Sequence, residues 1–139
     1  MTDRRLLAAA IGCVCLVTGP LVWGGGVDVP DDASYYGVAS WEWLGWAARE
    51  GVSPWWVPGK LGGVSLFSDV VPQGPFYPGC WLALLLPTIP ALGLAALLHA
   101  LGTLFAVRWL TRMHGVRDEL AILAGAGVAA GPLAVWAAV

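Results

Sequence analysis

Carboxylates, two cations and a group of aromatics between residues 24 and 78 are the side chains whose types and spacing could do chemistry. Asp31 and Asp32 are adjacent, Asp69 follows Ser68, and Arg49 and Lys60 are the cations of this stretch. A carboxylate takes a proton from an attacking hydroxyl when partial burial or a second carboxylate raises its pKa. A guanidinium or ammonium group can meet a phosphate. Trp41, Trp43, Trp46, Trp55 and Trp56 add rings that are half apolar and half polar. Each residue also has a plainer reading. Adjacent aspartates before a helix cap it and carry solvated charge, a Ser-Asp pair closes an Asx-turn, and tryptophans anchor a chain at a membrane boundary.

Other chemistry is poorly supported. No CxxC, HExxH, GxxxxGK[ST] or GxGxxG pattern occurs, so the spacing predicts no metal centre and no phosphate-cradling loop. Cys13, Cys15 and Cys80 are too few for a disulfide framework and read as small buried hydrophobes. Of the 139 residues, 58% are hydrophobic and 12% charged, and the mean hydropathy is +0.74. So few charges cannot cover a water-facing domain of this size, and so apolar a chain is not disordered. A net charge of −2 offers no basic face for nucleic acid. An integral membrane protein remains.

The elements that position the candidate residues follow from the apolar runs. Leu6 to Trp23 carries no charge and is just long enough to cross a bilayer, and Arg4 and Arg5 before it place the N-terminus in the cytoplasm. A cleaved signal peptide is the competing reading. Against it, no small-x-small site precedes Gly24-Gly25-Gly26, and the run continues through Pro20-Leu21-Val22-Trp23. Gly79 to Leu110 is too long for one straight crossing. Pro87 and Pro90 divide it into a short apolar segment, 79–86, and a crossing over 91–110. Arg108, Arg112, His114 and Arg117 make the far end of that crossing cytoplasmic. His99, within it, should face protein. Leu120 to Val139 forms a third crossing, with Gly125, Gly127 and Gly131 giving it a small-residue face. A crossing that ends at the last residue suggests the N-terminal part of a larger polytopic protein, or a shortened relative of one.

Residues 24–78 then lie outside the membrane. Asp28, Asp31, Asp32, Glu42, Glu50 and Asp69 outweigh Arg49 and Lys60, and Trp23 and Trp81 flank the segment. So many tryptophans suggest a loop that hugs the outer surface. Ala33 to Glu50 reads as an amphipathic interfacial helix, with Asp31, Asp32 or Ser34 available as cap and Gly51 after its end. The expected fold is all-α: a polytopic helical membrane protein of three transmembrane helices, with a long extracytoplasmic first loop.

The order of motifs resembles a known family. An acidic pair is followed by a helix ending Ala48-Arg49-Glu50-Gly51, then Pro54-Trp55-Trp56-Val57-Pro58. Gly62-Gly63-Val64-Ser65-Leu66, Ser68-Asp69 and Phe76-Tyr77-Pro78 come next, before the proline-broken apolar run. This is similar to the N-terminal part of YfhO-like bacterial membrane proteins of the GT-C glycosyltransferase superfamily, over roughly residues 5–130. The family pattern places its first Asp on Asp31, with Asp32 as neighbour, and its tyrosine on Tyr36. Its Trp-Pro element falls on Trp55 through Pro58, its later acid and amide on Asp69 and Gln73, its Tyr-Pro on Tyr77 and Pro78, and its membrane histidine on His99. This sequence has Val57 where Asn is usual, Ser65 where Pro is usual, and neither the Gln before Tyr36 nor the Pro after it.

The resemblance implies sugar transfer from a polyprenyl-phosphate donor to a cell-envelope acceptor on the outer face of the bacterial cytoplasmic membrane. Asp31 or Asp32 would be the catalytic base, and Asp69 would orient the acceptor or help hold a divalent metal. Arg49 or Lys60 would meet the donor phosphate, Trp55, Trp56 and Tyr77 would stack on sugar or lie along the lipid, and Tyr36 and Gln73 would complete the binding set. The alternative is a non-catalytic small membrane protein that binds or scaffolds partner helices through its glycine face.

Overall fold

The first apolar run folds as a helix, α1 (Asp3–Val22). The computed structural model describes residues 3–22, 38–59, 62–65 and 77–137. Beyond α1 these comprise α2 (Ala39–Glu50), the two-residue strands β1 (Trp56–Val57) and β2 (Val64–Ser65), a 3-10 helix (Pro78–Leu84), α3 (Thr88–Met113) and α4 (Asp118–Ala137). The protein is mostly helical, and the small antiparallel ladder pairs Trp56 with Ser65 and Val57 with Val64. Among the described residues, α3 is long and apolar enough to cross a membrane.

Proline explains how the long second run breaks. Pro78 opens the 3-10 helix, and the Cys80 amide donates to the Tyr77 carbonyl at 3.0 Å. Pro87 supplies the carbonyl that takes the first α3 hydrogen bond, from the Ala91 amide at 3.0 Å. Pro90 therefore sits inside α3 rather than before it, in the first turn, where an N–H would have no helical partner.

The chain forms two compact units. One comprises Met1–Pro20 with Ala96–Val139, the other Leu21–Ala95. In the first, α1 buries Ala10, Val14 and Thr18, one turn apart, and Ala10 and Val14 cluster with Ala100 and Leu104 of α3 and Ile122 and Ala129 of α4. The buried Thr18 hydroxyl is satisfied within its own helix, donating to the Val14 carbonyl at 2.9 Å. Cys13 and Cys15 flank that stripe and are exposed, unlike Cys80, so the expected burial of all three holds for one. His99 is likewise exposed, one residue off the buried Ala100, where a protein-facing position was expected.

The α3–α4 junction is closely built. Gly115, at φ +77°, ends α3 in a left-handed cap, with the Gly115 amide donating to Arg112 O and the Val116 amide to Thr111 O. Across the turn, Arg108 clamps Asp118 through two hydrogen bonds, Nε to Oδ1 at 3.0 Å and a terminal nitrogen to Oδ2 at 2.9 Å. Further along, α4 approaches α3 at Gly125, where a Cβ would come 2.6 Å from the Leu104 carbonyl oxygen. Gly127 and Gly131 have open space around them. Of the expected glycine face, Gly125 alone meets a neighbour among the described residues, because the other two point away from the α3 contact.

Candidate functional site

The second unit carries the candidate site residues that fall within the described structure. Its central element is α2. Trp41, Leu44, Gly45 and Ala47 recur at helical spacing and are buried, while Glu42, Trp46, Arg49 and Glu50 are exposed. The amphipathic reading of this segment therefore holds over Ala39–Glu50. The chain is already helical at Val38 (φ −59°, ψ −47°), and residues 33–37 lie outside the described residues. Gly51 closes the helix in the left-handed region at φ +66°, as its position after Glu50 leads one to expect.

The buried face of α2 meets the 3-10 helix. Trp41, Leu44, Cys80, Ala83, Ala91 and Ala95 form one core, with Val57, Tyr77 and Leu82 packed around it. Small residues let the backbones approach, and a Cβ on Gly45 would run into the Ala83 carbonyl oxygen. Trp41 is not the boundary anchor that its type suggests. It is buried, with its ring 6.0 Å from that of Tyr77, and its indole nitrogen has no hydrogen-bond partner among the described residues. Burial pushes the Tyr77 hydroxyl above its ordinary pKa, with the Cys80 charge adding to the shift, and burial likewise raises the Cys80 thiol. Cys80 thus stays a protonated thiol at neutral pH, a packing group rather than a nucleophile.

The aromatic hairpin is fastened to the same core. The Trp43 indole donates to the Pro54 carbonyl at 3.0 Å, tying the chain after α2 back onto the helix, and the Trp43 and Trp46 rings lie 4.9 Å apart. Val57 of β1 packs against the core, while Trp55 and Trp56 remain exposed, Trp56 by 54%. Trp56 lies over Gly63, whose φ of +116° and lack of a side chain allow that approach. Arg49 is exposed, and its guanidinium folds back along α2 to 3.2 Å from where a Gly45 Cβ would stand.

Four of the site residues expected from sequence are therefore placed: Arg49 on the outer face of α2, Trp55 and Trp56 on the hairpin, and Tyr77 at the start of the 3-10 helix. The structure joins Tyr77 and the hairpin through one core. Asp31, Asp32, Tyr36, Lys60, Asp69 and Gln73 lie outside the described residues. Trp41 is the core residue that its type misplaced, whereas Cys80 is buried as expected. The signal for Trp41 was present in its spacing to Leu44 and Gly45. The described arrangement can offer indole faces and a cation to a ligand. No protein-family model matches the chain, and no curated protein or solved structure matches it.

Proposed function

We propose that the chain is a membrane glycosyltransferase, or the N-terminal part of one, that uses a polyprenyl-phosphate sugar to modify a cell-envelope acceptor outside the bacterial cytoplasmic membrane. In this reading α1, α3 and α4 cross the bilayer, and residues 24–78 belong to its outer side. The exposed Trp55–Trp56 pair on the core-anchored hairpin carries the proposal, because indole faces held rigidly beside a membrane suit a sugar or a lipid-linked donor. Orientation has separate support. Asp3 lies within electrostatic reach of Arg108, so the N-terminus and the arginine-rich α3–α4 turn share one end of their unit, as a common cytoplasmic side requires. Asp31 or Asp32 serves as base, and Asp69 orients the acceptor or holds a divalent metal.

The test is transfer from a polyprenyl-phosphate sugar by the full-length protein in vesicles. Asp31→Asn, Asp32→Asn and Asp69→Asn are compared with wild type at equal insertion. Loss of the essential base should cost about 10²–10⁴-fold in rate. Full activity in all three variants would reject the proposal.

A second reading, a non-catalytic protein that scaffolds partner helices, is favoured by one observation. Gly127 and Gly131, four residues apart on α4, face open space among the described residues. It predicts that all three carboxylates tolerate replacement while Gly127→Leu and Gly131→Leu abolish association with partners.

A further inference from the structure

One exposed stripe of α3 combines apolar side chains with a cation at its end. Leu98, Phe105, Trp109 and Arg112 are spaced by seven, four and three residues, so they share one face of the helix. All four are exposed, Trp109 by 66% and the Arg112 side chain by 55%. Gly102, between Leu98 and Phe105 on the same face, is also exposed, and nothing lies within 4 Å of the place a Cβ would occupy. The stripe is thus apolar, slotted where it lacks a side chain, and ends in a cation.

Its dimensions match half a membrane. Leu98 to Trp109 is eleven residues of helix, about 16 Å at 1.5 Å per residue, against about 15 Å for one leaflet of hydrocarbon. Trp109 then sits at the depth where indole rings collect, and Arg112 stands less than one turn further out, at headgroup level. Arg112 pairs with Asp118 as well, but more loosely than Arg108 does. Both oxygens of Asp118 already accept from Arg108, and Arg112 approaches Asp118 only to 3.7 Å. This end of the unit carries Arg4, Arg5, Arg108, Arg112 and Arg117 against Asp3, Asp118 and Glu119, a balance of 5 − 3 = +2.

We infer that this stripe is a binding site for one anionic phospholipid, its acyl chain along Leu98, Gly102 and Phe105, its glycerol region against Trp109 and its phosphate on Arg112. The inference rests on α3 crossing the membrane, but not on any glycosyltransferase activity. A zwitterionic lipid fits the apolar stripe equally well, so Arg112 is what sets the preference for an anionic headgroup.

The experiment uses the full chain in vesicles containing equal mole fractions of brominated phosphatidylglycerol or brominated phosphatidylcholine. The Trp109 signal is isolated by subtracting the fluorescence of Trp109→Phe. Phosphatidylglycerol is expected to compete for the site about fivefold better, which is what one arginine near the surface supplies. Raised salt should weaken that preference. Arg112→Gln should bring the ratio close to one, Arg112→Lys should keep most of it, and Arg117→Gln, on the exposed side chain that pairs with Glu119 at 3.5 Å, should leave it unchanged. Equal quenching by the two lipids, a preference insensitive to salt, or one that survives Arg112→Gln would overturn the inference while leaving the membrane reading intact. Failure of both lipids to quench Trp109 would overturn the membrane placement of α3 as well.

Discussion

Asp118 shows how much one side chain can contribute to a helix junction. Its hydrogen bonds from Arg108 hold its carboxyl below the usual aspartate range, with the Arg108 and Arg112 charges acting in the same direction. A folded pKa below the unfolded one means stability that is fully present above the ordinary carboxylate range and lost as pH falls through the folded value. Thermal unfolding in detergent should therefore reveal a stability loss on acidification below that range, and Asp118→Asn should flatten most of it. Some acid dependence should persist, because Glu119 is lowered too, by its own backbone N–H first and then by Arg117. Arg108 and Arg112 are topology signals in the sequence, but their partner is not legible there. Nothing in the spacing from 108 to 118 says that the intervening turn closes tightly enough for a two-point clamp. Trp41 is the opposite case. Its type suggested the membrane boundary, but it shares the buried face of α2 with Leu44 and Gly45, so side-chain periodicity is a better guide here than composition.

The two cores share one packing device, a helix glycine that admits a backbone carbonyl: Gly45 meets Ala83 in one and Gly125 meets Leu104 in the other. On α4, Gly127 and Gly131 differ from Gly125 in meeting nothing among the described residues. Gly125→Leu should therefore destabilise the α3–α4 pair by about 1–3 kcal/mol through overpacking, while Gly127→Leu and Gly131→Leu leave intrachain stability unchanged. Resistance to proteolysis in detergent reads out the difference. Most helices were legible because an uninterrupted apolar run and its bounding prolines are strong local signals. The boundary of α3 moved by one turn since Pro90 is tolerated where no donor is needed. The hairpin was not legible. Two residues per strand leave too little alternation to read, and what holds it is Trp56 lying over Gly63 and Val57 reaching a core made elsewhere. Of the candidate site, the aromatic part and Arg49 could be tied to elements, whereas the carboxylates lie outside the described residues.

At the scale of the molecule, the membrane reading of α1 can be tested through its thiols. Cys13 and Cys15 are exposed on α1, while Cys80 is buried with its thiol shifted up. In single-cysteine proteins inserted in vesicles, a charged maleimide should label Cys13 and Cys15 poorly, because the reagent does not enter hydrocarbon. Denaturing detergent should restore both. Rapid labelling in intact vesicles would place that face of α1 in water. The clamp at the α3–α4 turn also bears on the order in which the chain acquires its structure. It joins residues ten apart, so it can form as soon as both helix ends exist. The Trp41–Tyr77 contact spans 77 − 41 = 36 residues and costs about 1 kcal/mol more in loop closure. The helical hairpin should therefore be an early kinetic unit, and the aromatic core, however well packed, one of the last parts to lock.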